Sequence, residues 1–116
     1  MAASSFMVQE ALQASELLAE AGIAAEIIDL RTIKPLDGET LLASVKKTGR
    51  LVVADGGWRS FGVAAEISAL AAERAFGALR APVARVTLPD CPAPASTALE
   101  NAYYRNSTDI IQAVRS

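Results

Sequence analysis

Histidine is absent from these 116 residues, and that absence excludes more chemistry than any motif present supplies. Histidine is the usual general base near neutral pH and the commonest metal ligand. Without it, a Ser-His-Asp triad, a Cys-His pair or a histidine-ligated zinc site cannot be assembled within the chain. Carboxylate and lysine chemistry remain open. Cysteine is reduced to Cys91 alone, which rules out an internal disulfide framework and fits a reducing cytoplasm. No apolar run approaches the ~20 residues that a bilayer span requires. The opening Met-Ala-Ala-Ser-Ser lacks the basic head and long apolar stretch of a secretory signal. A net charge of −2 gives no bulk reason to bind nucleic acid or an acidic membrane.

What is present describes a soluble α/β domain. Hydrophobic residues make up 52% and charged residues 21%, far from disorder, and the length fits one domain. Met7, Ala11, Ala14, Leu18 and Ala21 recur at steps of four and three, so roughly Ser5 to Ala21 reads as a helix. Ser4 or Ser5 can cap its start and Gly22 can stop it. Ile23 to Leu30 reads as a strand, and Pro35 forbids regular structure in the connection after it. A second helix, capped by Asp37, runs to about Thr48 with Leu41, Leu42 and Val45 inward, cationic Lys46 and Lys47 in its last turn, and Gly49 as its stop.

Leu51 to Ala54 is a short continuous apolar run, the mark of a strand buried on both faces. The loop DGGWRSFG leads into a helix over about Val63 to Phe76, with Val63, Ile67, Leu70 and Ala71 as its core stripe. Val83 to Leu88 is a third strand. LPDCPAPAS, a short helical turn near Leu99 and a last helix over about Thr108 to Arg115 complete the chain, the last with Ile110, Ile111 and Val114 inward. Such alternation, with connections too long for hairpins, predicts a three-layer α/β/α domain around a mostly parallel sheet.

A doubly wound sheet begins with a strand before its first helix, and only Met1 to Ser4 stand there. They are expected to be too few and too small for a buried strand. The expectation is therefore a fragment of a longer protein, its first strand missing.

The segment Asp55 to Gly62 lies between a strand and a helix, where open α/β sheets place ligands. Its glycines match neither a dinucleotide fingerprint nor a phosphate loop. A tight turn presenting an aromatic contact and a small-molecule site both remain open. Trp58 and Arg59 are residue types that anchor interfaces, and Trp58 and Phe61 sit too polar a setting for deep core. Asp55 ends a buried strand and is either functional or bonded to the glycine amides after it. Asp90 lies in a loop stiffened by Pro89, Pro92 and Pro94, which would lose little entropy on binding a partner; a local turn cap is the plainer alternative. Beside that carboxylate Cys91 is disfavoured as a thiolate.

The run GIAAEIIDLRTIKPLDGETLLASVKKTGRLVVADGGW, continuing through GVAAEISALAAERAFGALRAPVARVTLPDCPAPASTALENAYY and DIIQAV, resembles the C-terminal domain of transketolase-type enzymes. It is most similar to that domain in the beta subunit of pyruvate, branched-chain and acetoin dehydrogenases. The resemblance implies no catalytic residue and no cofactor or metal site in this chain, which taken alone would be inactive. Thiamine diphosphate and magnesium would belong to the rest of the enzyme. The implied partners are an alpha subunit, a second beta subunit and the subunit-binding domain of an acyltransferase, with Asp90 at the position of an acidic docking residue. Two alternatives stand beside it: an independent small-molecule-binding or regulatory module using Asp55 to Ser60, and a domain of a transketolase or 2-oxoacid:ferredoxin oxidoreductase.

Overall fold

The computed structural model describes residues 1–4, 6–30, 38–88 and 106–115, with 57 and 58 described by backbone alone. The described elements are β1 (Ala2–Ala3), α1 (Met7–Glu20), β2 (Ile28–Asp29), α2 (Gly38–Thr48), β3 (Val52–Trp58), α3 (Val63–Arg74), a 3-10 turn (Phe76–Ala78), β4 (Ala84–Leu88) and α4 (Ser107–Arg115). The four strands form one parallel sheet in the order β2-β1-β3-β4. Right-handed crossovers on such an order send α1 to one face and α2 and α3 to the other. The two cores match. Ala3, Val52, Ala54 and Val86 pack with Met7, Ala11, Ala14 and Ile110 on one face. Ala2 and Val53 pack with Leu41, Val45, Ala64, Ile67 and Ala71 on the other. The expected three-layer architecture is what the chain adopts, and among the described residues no helix is long and apolar enough to cross a membrane.

The expectation about the first strand is corrected. Ala2 and Ala3 form a strand at the centre of the sheet, each fully buried and paired on both sides, to Ile28 and Asp29 of β2 and to Val53 and Ala54 of β3. A ladder is made by backbone N–H and C=O groups, which alanine supplies as well as valine does. Ile28 N–H donates to Met1 O at 2.8 Å, Leu30 N–H to Ala3 O at 2.8 Å, and Ser4 N–H to Ala54 O at 3.3 Å. Small side chains here let helices approach from both faces.

The same short strand explains a second correction. The strand expected over Ile23 to Leu30 is only Ile28–Asp29, because among the described strands it pairs with β1 alone and cannot outrun its two rungs. In the other direction, β3 extends past the expected Ala54 to Trp58, absorbing a stretch read as loop. Its register to β4 slips there: Ala54 faces Val86 and Trp58 faces Leu88, so Asp55, Gly56 and Gly57 stand against Thr87 alone. Glycine tolerates such an irregular stretch of strand.

The helices lie close to their expected bounds. Met7, Ala11, Ala14 and Leu18 are the buried stripe of α1, whereas Ala21 lies beyond its end and is exposed. Gly22 and Gly49 stop α1 and α2 with φ of +83° and +75°, and Lys46 and Lys47 occupy the last turn of α2. In α3, Ala64, Ile67 and Ala71 are buried, with Val63 and Leu70 at the core's margin. The helix stops at Arg74, and Phe76 turns outward in the 3-10 turn. Ile110 alone of its helix is fully buried, with Ile111 and Val114 packed beside it. Asp37 and the turn expected near Leu99 lie outside the described residues.

Ala3 enters the core formed with α1 and α4, so enlarging it must disturb that packing. Ala3→Leu is expected to lower the stability in urea unfolding by about 1–3 kcal/mol, the usual cost of overpacking. An unchanged midpoint would mean that residues 2 and 3 are a loose tail.

Candidate functional site

Strand order reverses between β1 and β3: the chain leaves β1 towards β2 and leaves β3 towards β4. At such a switch point the crevice beyond the carboxyl ends of the strands is the usual ligand site of an open α/β sheet. The two strand ends deliver Ser4 and Asp55 there. Ser4 Oγ donates to Asp55 Oδ1, joining residues 51 apart in sequence. Both are buried, at 6% and 8% exposure. Ser4, expected as a cap for α1, is thus spent on the neighbouring strand, and Phe6 stands at the helix start with no side-chain cap.

Beside this pair stands Phe6, its ring half exposed. Phe6 lies over the backbone of Gly56, and a Cβ at that glycine would come within 2.8 Å of Phe6 Cε1. A serine bonded directly to a carboxylate, with no imidazole between them, is not an activated nucleophile, because a carboxylate is far too weak a base to hold the hydroxyl's proton. The pair can act as a tie between two strands. Among the described residues no group of three or more acidic or sulfur ligands could hold a metal ion.

The other candidate residues are placed as follows. Asp55 lies inside, on Ser4, and not on the surface. Trp58 is the last residue of β3, opposite Leu88. Arg59 is exposed and its backbone is held on both sides by β4: its N–H donates to Leu88 O at 3.0 Å, and its carbonyl accepts from Arg85 Nη1 at 2.9 Å. Phe61, expected outside the core, is fully exposed. Asp90 and Cys91 lie outside the described residues. The structure therefore brings Asp55 together with Ser4, and Arg59 together with Arg85. Neither Ser4 nor Arg85 stood out in the sequence; the only available signal for Ser4 was its place just before the first helix.

Comparison with known proteins gives a consistent result. Residues 1–110 match the family model described as Transketolase, C-terminal domain. The chain is 45% identical over 109 residues to the mitochondrial pyruvate dehydrogenase E1 component subunit beta of Dictyostelium discoideum, covering 94% of this chain and 31% of that protein. It is 48% identical over 109 residues to the beta subunit of the acetoin:2,6-dichlorophenolindophenol oxidoreductase of Cupriavidus necator, covering 94% of this chain and 32% of that one. The chain thus spans about a third of the length of these curated relatives. Among solved structures, a split-gene transketolase described as an inactive beta4 tetramer superposes with a TM-score of 0.84 at 29% identity, over 98% of this chain and 36% of its own.

A tie between Ser4 and Asp55 is measurable by a double-mutant cycle. Ser4→Ala and Asp55→Asn are each expected to destabilise the chain, with a coupling of about 1–2 kcal/mol between them. Strictly additive losses would mean that the two side chains do not interact.

Proposed function

The chain belongs to the transketolase C-terminal domain family, and from that premise we propose that it is the assembly and partner-docking domain of a thiamine diphosphate-dependent 2-oxoacid dehydrogenase beta subunit. The observation that carries this reading is the match of nearly the whole chain to beta subunits of pyruvate- and acetoin-oxidising enzymes. The identity to those subunits exceeds that to the split-gene transketolase, which favours a dehydrogenase over a transketolase. The whole enzyme would decarboxylate a 2-oxo acid and pass the acyl group to a lipoyl group on an acyltransferase. In that scheme this domain contacts an alpha subunit, a second beta subunit and the acyltransferase's subunit-binding domain, the last through Asp90.

The described residues do not fit thiamine diphosphate. A diphosphate with its magnesium ion calls for carboxylate and carbonyl ligands and a cradle of backbone amides. At the switch point, where such a cradle would form, the Phe6 ring lies against Gly56 and the Asp55 carboxylate is bonded to Ser4. We therefore assign the cofactor and its metal to the rest of the enzyme.

Two measurements test this reading. Titration calorimetry of the chain with thiamine diphosphate and magnesium is expected to give no binding heat, and tight stoichiometric binding would overturn the assignment. In the intact assembly, Asp90→Ala is expected to weaken capture of the acyltransferase's subunit-binding domain by about 10-fold at low salt, where a charge contact contributes most. Capture as strong as that of the parent would remove Asp90 from the docking surface.

A further inference from the structure

A cleft of about 570 Å³ opens at the amino ends of the strands, the edge opposite the switch point. Every described strand leads out of it. Met1 stands before β1, Ile23 in the segment before β2, Leu51 before β3 and Val83 before β4, with Val114 of α4 beside them. Ligand pockets span roughly 300–1,000 Å³ and are mostly apolar, with a few placed polar groups. This cleft has that size and that lining. Ile23, Val83 and Val114 are only partly buried, so apolar surface remains in water for an occupant to cover.

The polar groups around the cleft are mostly engaged. The Glu26 carboxylate lies 3.4 Å from Lys47 Nζ, and its carbonyl accepts from the Met1 amino group at 2.5 Å. The Thr48 hydroxyl donates to Ser44 O at 2.9 Å. α1 and α2 end at this edge, and a helix end carries about half a negative charge on its last carbonyls. Those carbonyls are occupied here. Leu18 O and Ala19 O accept from Ile23 and Gly22, and Val45 O accepts from Gly49. Lys46 and Lys47 in the last turn of α2 offset its dipole further. The full positive charge of the Arg50 guanidinium, exposed on the lining, is what an occupant meets.

We infer that this cleft binds a small amphipathic carboxylate, with its hydrocarbon part against Ile23, Val83 and Val114 and its head group on Arg50. The planar guanidinium fork matches a carboxylate in shape as well as in charge. The apolar walls supply affinity without direction, and the single cation fixes which end of the ligand faces out. The inference goes beyond the assembly reading and does not rest on it, since that reading uses no ligand in this chain.

Titration calorimetry of the chain with laurate, kept below its micelle-forming concentration, tests it. The parent is expected to show saturable binding at one site. Arg50→Gln, at an exposed position, should weaken laurate binding by about 10-fold while leaving the thermal midpoint unchanged. The alcohol of the same chain length lacks the charge and should bind the parent and Arg50→Gln alike. Ala24 is exposed and lines the cleft, so Ala24→Trp should fill the space and abolish binding of both probes without unfolding the chain. A parent that shows no saturable laurate binding overturns the inference. So does an Arg50→Gln chain that binds laurate as tightly as the parent, or an Ala24→Trp chain whose binding is unchanged.

Discussion

Ala2 and Ala3 are the link on which the sheet depends, because β2 bonds to β1, β1 bonds to β3, and no described strand joins β2 to β3 directly. Two rungs on each side are few hydrogen bonds for a central strand. Their position compensates for their number. Alternate residues of β1 enter opposite cores, Ala2 with α2 and α3 and Ala3 with α1 and α4, so the strand is clamped from both faces by apolar packing. The Ser4–Asp55 bond carries the β1–β3 connection one residue past the ladder. Ser4 N–H still reaches Ala54 O, so its side chain adds a second tie to β3 where the chain turns into α1.

The helices were legible in the sequence because they bury stripes at helical spacing. Met7, Ala11, Ala14 and Leu18, or Leu41 and Val45, announce their faces without any tertiary information. Strand extents were not legible, for a different reason in each case. β1 is two alanines, residues with no β propensity and no alternation to read. The apolar run from Ile23 suggested a longer strand, but a strand's length is set by its neighbour, and β1 stops after Ala3. In β3, glycine after Asp55 reads as a break in any local scheme, yet pairing to β4 resumes at Trp58. The strand order followed none of these local signals, since it is decided by crossovers between segments far apart in sequence.

The candidate site divides along the same line. Arg59 and Phe61 were readable as surface residues because an aromatic and a cation in a glycine-rich turn have few places in a core. Asp55 was readable as the end of a buried strand, but its partner was not. Ser4 is 51 residues away, and a serine before a helix has a good local explanation as a cap. The cap reading failed because two claims competed for one hydroxyl, and a buried carboxylate makes a stronger claim than a helix terminus with access to water.

That competition bears on what the sheet's carboxyl edge is for. In an open α/β sheet the switch point stays useful only while it is hollow, with free amides and polar side chains directed into it. Here the polar side chains of the two strand ends are bonded to each other, and the half-exposed Phe6 ring lies against Gly56, which admits it by having no side chain. That bond ties the carboxyl ends of β1 and β3 together. The irregular stretch Asp55–Gly57 lies immediately beyond, followed by the Arg59 backbone fixed to Leu88 and Arg85. A chain without histidine gains little from a hollow site, having no imidazole to place in it. A tied edge, by contrast, holds the Arg59–Phe61 turn in one geometry, which is the property a contact surface requires and a mobile loop lacks.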